Sequence, residues 1–275
     1  MLVFPNAKIN LGLNITEKRS DGFHNLETVF YPINLCDILE FVVSESKTSF
    51  INTGLQINVS DKENLVLRAY HLLKKDIQLP ELMIHLHKII PFGAGLGGGS
   101  SDAAFMLKAL NSYFKLNLNI EQLKNYAQEL GSDCPFFLKN KPVFAEGTGN
   151  IFTRVNSDLS DYHILIVKPD IHISTKEAFT GIKPATPEFN LRRISDLPIS
   201  NFKNVLINDF EETVFRLYPE IKKIKKTLYN TGAVYAQMSG SGSAVFGIYK
   251  EKPDIPENFG SYFTFIHKPN KDFSI

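Results

Sequence analysis

Two groups of residues in this chain have the types and spacing for chemistry on phosphate. The first is Pro91 to Ala104, PFGAGLGGGSSDAA, where five glycines fall between Gly93 and Gly99 although the 275 residues hold only 17. Glycine tolerates positive φ and lets the backbone approach a bulky anion. The unpaired N–H groups of a helix start, together with its dipole, favour negative charge. Ser100 and Ser101 add hydroxyls where phosphate oxygens or a metal-bound water would lie. The stretch therefore reads as a nucleotide triphosphate loop. Its plain rival is a glycine-rich turn with no ligand, and five glycines cost that rival conformational entropy for no return. The second group rests on residue type alone: Lys8 and Asn10 lie on one strand, and the functional reading of Asp133, far along the chain, is a carboxylate facing the phosphate loop near Lys8, which spacing does not establish.

The elements around the loop follow from periodicity. Leu82 to Ile90 alternates in its first half as a strand does, and Ala103, Met106, Leu107, Leu110 and Phe114 recur at helical spacing behind Ser-Ser-Asp. The glycines thus occupy a strand-to-helix turn. Gly93, Gly95 and Gly98 satisfy the dinucleotide spacing, but Glu121 falls in a helical segment and not at a strand end. Gly99-Ser100-Ser101 lacks the lysine of a Walker loop, and no His-Arg-Asp loop of protein kinases is present.

From Asn6 to Ile15 the chain alternates cleanly, which puts Lys8 and Asn10 on one strand face about 6–7 Å apart. A solvated strand face is the alternative reading. Phe23-His24 follows the Arg19 to Gly22 turn; a ring beside a histidine suits stacking on a base and reading its edge, and equally suits a buried Phe beside a loop His. Asp61 to Lys75 reads as a helix with Asp61 as its cap and Asn64 near its start. Asn119 to Leu130 carries a capping box, Asn119 with Gln122, and the stop Gly131. Pro135 at a first helical position makes Asp133 or Cys134 a cap. His85 and His87 share a strand face without a third ligand, which argues against zinc.

Further on, His163 to Val167, Tyr235 to Ser239, Ala244 to Tyr249 and Ser261 to His267 read as strands. Ser174 to Phe179, Asp209 to Tyr218 and Pro219 to Asn230 read as helices, with Asp209 and Glu212 spaced as a capping box. Lys183 to Ser200 reads as a loop. The Gly240 to Ser243 turn is not a nucleophile elbow. The lysines from Lys222 to Lys226 suit an anion patch or a solvated helix face.

Lys+Arg 30 against Asp+Glu 29 leaves a net charge of +1, which speaks against a nucleic-acid or membrane-surface footprint. Two cysteines, Cys36 and Cys134, are too few for a disulfide framework and suit a reducing cytoplasm. The N-terminus lacks the pattern of a signal peptide, and no apolar run approaches a membrane span. A polar stretch from Asn156 to Asp161 marks the expected domain change, giving domains 1–157 and 158–275.

The three blocks from Pro5 to Thr28, from Pro91 to Ala104, and from Gly131 through GSDCPFF to FAEGTG resemble the GHMP kinases, as do Asn208-Asp209 and the turn from Ser239 to Ser243. The first block, with Asp-Gly-Phe-His, resembles the branch that acts on a cytidine-diphosphate sugar alcohol. The resemblance implies a two-domain α+β fold, N-terminally like ribosomal protein S5 domain 2 and C-terminally ferredoxin-like, with the active site between the domains. It implies transfer of phosphate from ATP, with Mg²⁺, to that alcohol. Lys8 and Asp133 match the family's catalytic pair. Pro91, Phe92, Gly93, Ala94, Gly95, Leu96, Gly97, Gly98, Gly99, Ser100 and Ser101 match its ATP loop, and Asn64 and Lys88 match nucleotide contacts. Phe23 and His24 match the base-recognition pair, Asn10 a contact to the erythritol end, and Thr175 and Phe179 a second-domain pair. Position 23 is often tyrosine in the family; phenylalanine keeps the stacking surface. The metal would ride on the ATP phosphates with Ser101 as its candidate protein ligand. The implied partners are two small molecules, with no nucleic acid or membrane, for a cytoplasmic monomer or homodimer. Other small-molecule kinases of the group, acting on homoserine or mevalonate, and a silent nucleotide-binding module are the alternatives. Lys183 to Ser200 and the last 25 residues match poorly and receive no role.

Overall fold

Residues 1–57 and 59–268 are described by a computed structural model; the part of the last 25 residues from 269 onward lies outside the described residues. In chain order the strands are β1 (Leu2–Val3), β2 (Asn6–Lys18), β3 (His24–Cys36), β4 (Ile38–Val43), β5 (Ser49–Gly54), β6 (Leu82–Lys88), β7 (Val143–Glu146), β8 (Ile151–Arg154), β9 (His163–Lys168), β10 (Tyr235–Met238), β11 (Val245–Tyr249) and β12 (Phe263–His267). The helices are α1 (Leu65–Asp76), α2 (Gly98–Tyr113), α3 (Ile120–Leu130), α4 (Phe136–Lys139), α5 (Thr175–Ala178), α6 (Phe202–Val205), α7 (Phe210–Leu217) and α8 (Pro219–Asn230). The fold is α+β.

The chain divides into two compact units, each built from separated segments. One comprises Met1–Ala7, Leu35–Phe92 and Gly97–Lys141; the other comprises Lys8–Asn34, Gly93–Leu96 and Pro142–Ile275. In the first unit lie a sheet of order β1-β4-β6-β5 and the mutually packed helices α1, α2 and α3. Its β5 pairs parallel to β6, from Ser49 opposite Met83 to Gly54 opposite Lys88, while β4 runs antiparallel to β6. In the second unit lie two sheets, β2-β3-β7-β8 and β10-β11-β9-β12. A core of Leu165, Val167, Ile221, Ile224, Leu228, Ala236 and Val245 joins the latter sheet to α7 and α8.

Several local expectations change. α1 starts three residues later than a cap at Asp61 would set it, because Asn64 and not Asp61 is the cap: its side chain accepts from Val66 N at 2.9 Å and Leu67 N at 3.4 Å. The Asn119–Gln122 box forms as expected. The Asp209–Glu212 box does not, since Asp209 Oδ2 is taken by Ile15 N at 2.6 Å and Asn208 Oδ1 accepts from Phe210 N instead. The cap of α4 falls on Pro135, and Asp133 lies in the preceding turn, where its carbonyl accepts from Phe136 N. A second capping box, Ser174 with Glu177, starts α5. Within Lys183 to Ser200, short 3-10 turns form at Leu191–Asp196 and Ile199–Asn201.

Candidate active site

In the second unit the alternation of β2 does not produce a solvated face. Lys8, Asn10 and Asn14 are buried along with Ile9, Leu11 and Leu13. Burying a charge is costly unless it is bonded, and Lys8 is. Its Nζ donates to Asn10 Oδ1 at 2.6 Å and to Gly95 O at 3.1 Å, and lies over the Phe30 ring, 4.7 Å from the centroid. The backbone follows the same course, Lys8 N donating to Leu96 O at 2.9 Å. Asn10 Nδ2 donates to Thr28 Oγ1, which donates to Gly12 O. The loop segment Gly93–Leu96 is thereby sewn to β2.

A second turn buttresses it. Ser239 Oγ donates to Gly95 O at 2.9 Å, and Asn10 N donates to Ser239 Oγ at 3.3 Å. Asn208 Nδ2 holds both Met238 O and Gly240 O at 2.8 Å. Ala244 N donates to Ala94 O. His172 completes this neighbourhood: its ring stands 2.9 Å from where a side-chain carbon on Gly93 would be. Nothing in the sequence distinguishes His172, since its partner Gly93 is far along the chain, and the Ser239 turn is marked by the family resemblance without a contact to the loop.

The predicted base-recognition residues are also in this unit. His24 stacks on Phe179 at 4.6 Å between centroids and 22° between planes, and Phe179 meets Phe210 edge-on. Phe23 is 65% exposed, a ring held to solvent by a turn in which Asp21 accepts from Phe23 N. Thr175 is exposed at the first position of α5.

In the first unit the loop passes into α2 at Gly98. Lys88, at the end of β6, is almost fully buried, and its ammonium is shared by two buried carboxylates, Asp37 and Asp102, the latter at 2.7 Å. Asp37 Oδ1 also accepts from Ile89 N and Ile90 N, so the chain entering the loop and the second turn of the helix leaving it are fastened to one point. Burial alone would lower the Lys88 pKa; the two carboxylates outweigh it and hold it above the ordinary lysine value. Burial pushes Asp102 upward, Lys88 pulls it down and Asp37 pushes it up again, leaving it above the ordinary carboxylate range. Sequence reasoning missed Asp37 and Asp102, because Asp37 is 51 positions from Lys88 and a buried ion triad of that reach leaves no local pattern.

Beside the triad is a cavity of about 230 Å³ with Leu65, Val66, Leu86 and Phe92 as apolar walls and Asn64, Lys88 and Asp102 among its polar lining. Phe92 is 55% exposed and Gly99 lies at the cavity edge. Ser101 is fully buried, and its Oγ has no hydrogen-bond partner among the described residues. Such an orphaned hydroxyl fits a phosphate oxygen or a Mg²⁺ ion carried on one. No group of three or more His, Cys, Asp or Glu that could itself hold a metal occurs among the described residues. Ser100 is half-buried beside it. Asp133, in the same unit, is half-buried. Burial raises the thiols of Cys36 and Cys134 to about 11 and about 12, which leaves both poor nucleophiles.

With the geometry in place, comparison with known proteins is informative. Residues 64–141 match the model of the GHMP kinases N terminal domain, and residues 193–258 match that of the GHMP kinases C terminal region. A 4-diphosphocytidyl-2-C-methyl-D-erythritol kinase of Azobacteroides pseudotrichonymphae is 56% identical over 268 residues, covering 97% of this chain and 99% of that one. A crystal structure of a 4-(cytidine 5'-diphospho)-2C-methyl-D-erythritol kinase superposes with a TM-score of 0.78 at 32% identity, covering 90% of each chain. A homoserine kinase from Cytophaga hutchinsonii superposes at 0.69 over 97% of this chain and 94% of that one, but at 15% identity, which shows a shared fold alone.

Proposed function

Since this chain belongs to the 4-diphosphocytidyl-2-C-methyl-D-erythritol kinases, within the GHMP kinases, we propose that it transfers the terminal phosphoryl group of ATP to the 2-hydroxyl of 4-diphosphocytidyl-2-C-methyl-D-erythritol. The products are the 2-phosphate and ADP, a step of non-mevalonate isoprenoid precursor synthesis. The chain is an ATP-dependent small-molecule kinase, and the homoserine and mevalonate readings give way to the cytidyl one at 56% identity. The observation that carries the site assignment is the Lys8 ammonium bonded directly to the backbone of the glycine loop at Gly95.

Phosphoryl transfer passes through a loose transition state in which positioning and charge stabilisation outweigh proton abstraction. Lys8 offers charge to the transferring group from a site where Asn10 and Gly95 fix its position. Asp133 orients the acceptor hydroxyl and takes its proton late. Orientation reaches effective molarities of about 10⁵–10⁸ M, against about 10²–10⁴-fold for a general base. The amides from Gly93 to Ser101 cradle the phosphates. Asn64 and Lys88 belong to the cavity that takes the nucleotide base, Lys88 as part of its wall. Ser101 Oγ is the protein atom that would hold a Mg²⁺ ion carried by ATP, which would supply charge neutralisation on the phosphates. Phe23 and His24 receive the cytosine, Asn10 the erythritol end, and Thr175 and Phe179 support them. A boundary near 157/158 is part of the same proposal, supported by family-model spans that fall on either side of it. No helix of the described residues is long and apolar enough to cross a membrane, and two thiols held outside any disulfide and made weakly acidic by burial suit a cytoplasmic location.

Radiolabel transfer from ATP to cytidyl-methylerythritol, homoserine and mevalonate tests the substrate. Label is expected on the first alone; label on another would overturn the reading. Asp133→Asn and Lys8→Met are each expected to lower kcat by about 10² or more while ATP still binds. Near-normal turnover of Asp133→Asn would remove that residue from the mechanism.

A further inference from the structure

Lys8 ends a chain of hydrogen bonds whose direction can be read bond by bond. An ammonium has three donors and no acceptor, so the Asn10 atom that faces Lys8 Nζ at 2.6 Å is Oδ1, and the amide nitrogen points the other way. Asn10 Nδ2 then donates to Thr28 Oγ1 at 3.0 Å. A threonine hydroxyl has a single hydrogen, and that of Thr28 is spent on the carbonyl of Gly12 at 2.6 Å. Toward Asn10 the Thr28 oxygen can therefore only accept. The Gly12 peptide is held from its other side as well, since Gly12 N donates to Gln237 Oε1 at 2.8 Å. Thr28, Asn10 and Gln237 are all buried, so solvent does not compete for these bonds.

We propose that Thr28 is a positioning residue for phosphoryl transfer: its hydroxyl holds the Asn10 amide in the one orientation that presents an oxygen to the Lys8 ammonium. The proposal rests on the reading of Lys8 given above and adds a residue that acts through Asn10. An asparagine amide keeps its shape when turned over, so packing alone does not choose between its oxygen and its nitrogen. Turned over, Asn10 would face Lys8 donor to donor, and would offer an oxygen to a hydroxyl whose hydrogen is already used. Lys8 cannot impose the choice by itself, because its charge rides on a flexible four-carbon stem. Thr28 can. It is β-branched and therefore stiff at its first side-chain torsion, and it lies on β3 between β2 and β7, opposite Ala145. A site that works by placing charge in advance is sensitive to such support, and an ångström of misplacement costs about 10²-fold in rate.

Steady-state transfer of label from ATP tests this on the full chain, with whichever of the three alcohols the wild type labels as acceptor, so that a wrong substrate does not decide it. Thr28→Val keeps the shape and removes the hydroxyl. It is expected to lower kcat about tenfold or more while KM for ATP stays within about twofold of wild type. Thr28→Ser restores the hydroxyl and is expected to keep kcat within about threefold of wild type. In a Lys8→Met background no ammonium remains to be placed, and there Thr28→Val is expected to lower kcat by less than about a further twofold. Rates are taken per folded molecule, the folded fraction being read from a thermal melt. Should Thr28→Val not fold, Thr28→Ala removes the same hydroxyl in the same comparison. A Thr28→Val kcat within about threefold of wild type, beside a large loss in Lys8→Met, would overturn this proposal alone. So would a Thr28→Ser loss as large as that of Thr28→Val, or an undiminished effect of Thr28→Val in the Lys8→Met background, which a merely structural threonine would show. Near-normal turnover of Lys8→Met would overturn the reading of Lys8 and this proposal with it.

Discussion

A methyl group on Gly95 would meet the backbone of another turn. Gly95 has φ of +75°, and a Cβ built there lies 1.9 Å from Ser239 O and 2.8 Å from Ser239 C. The left-handed conformation alone costs a non-glycine residue about 1–2 kcal/mol. The overlap is with main chain, which cannot rotate aside as a side chain can. Moving Ser239 away sacrifices Ser239 Oγ to Gly95 O, Asn10 N to Ser239 Oγ and Gly242 N to Ser239 O, bonds of 2.9, 3.3 and 3.0 Å. At about 1 kcal/mol for each bond, Gly95→Ala is expected to lose about 3–5 kcal/mol, a large part of a typical domain's stability. It is also expected to displace the Gly95 carbonyl that holds Lys8. Gly99→Ala is the internal control. Gly99 is helical, with Leu65 Cδ1 at 3.6 Å as its nearest contact, so alanine there is neutral or stabilising by up to about 1 kcal/mol. Urea unfolding followed by far-UV circular dichroism measures both. A Gly95→Ala midpoint corresponding to less than about 0.5 kcal/mol of loss would refute the packing argument, whatever happened to turnover.

Two further outcomes follow from buried charge. Lys88→Met leaves Asp37 and Asp102 buried without their ammonium and is expected to cost about 3–5 kcal/mol, read as a fall in melting temperature that adding Asp102→Asn partly restores. His267, buried and accepting from Asn34 N through Nδ1 at 3.0 Å, is lowered to about 3 by burial and by His163. Its folded value lies below its unfolded one, so its neutral-form contribution is complete above about pH 6.5 and drains away as pH falls toward 3. Unfolding midpoints in that window are expected to decline with a proton-linked slope of a few kcal/mol in total, a slope that His267→Gln removes.

What the sequence disclosed, and what it withheld, divides by range. The strand before the glycines, the helix after them and the Asn119 capping box rest on contacts within a few residues, and they stand where periodicity put them. Lys8 and Asn10 share a face as alternation requires, yet whether that face meets water depended on Phe30, Thr28 and Gly95, none of them neighbours in sequence. Asp61 lost the cap to Asn64 because helix start signals within one polar run differ only in which side chain reaches the free N–H groups. Asp209 fails as a box for the opposite reason: Ile15, 194 residues away, engages its carboxylate first.

The glycine stretch shows why a motif read by composition alone conflates two requirements. Enrichment in glycine reads as the mark of an anion cradle, yet at three of the five positions a side chain meets protein before any ligand. At Gly93 the obstacle is the His172 ring, 2.9 Å from a built Cβ; at Gly95 it is the Ser239 carbonyl; at Gly98 it is Lys88 Nζ and Ile90, each 2.9 Å away. The loop is thus pressed on the backbone of the Ser239 turn at Gly95 and on the buried ammonium of the triad at Gly98. Those contacts fix it before any phosphate arrives, which is what a site working through position demands. Gly99 has ordinary room around it, so whatever intolerance to substitution appears there should be a loss of nucleotide binding without a loss of fold. Separating the stability effect of Gly95→Ala from a binding effect of Gly99→Ala distinguishes the glycines that build the loop from those that receive the anion.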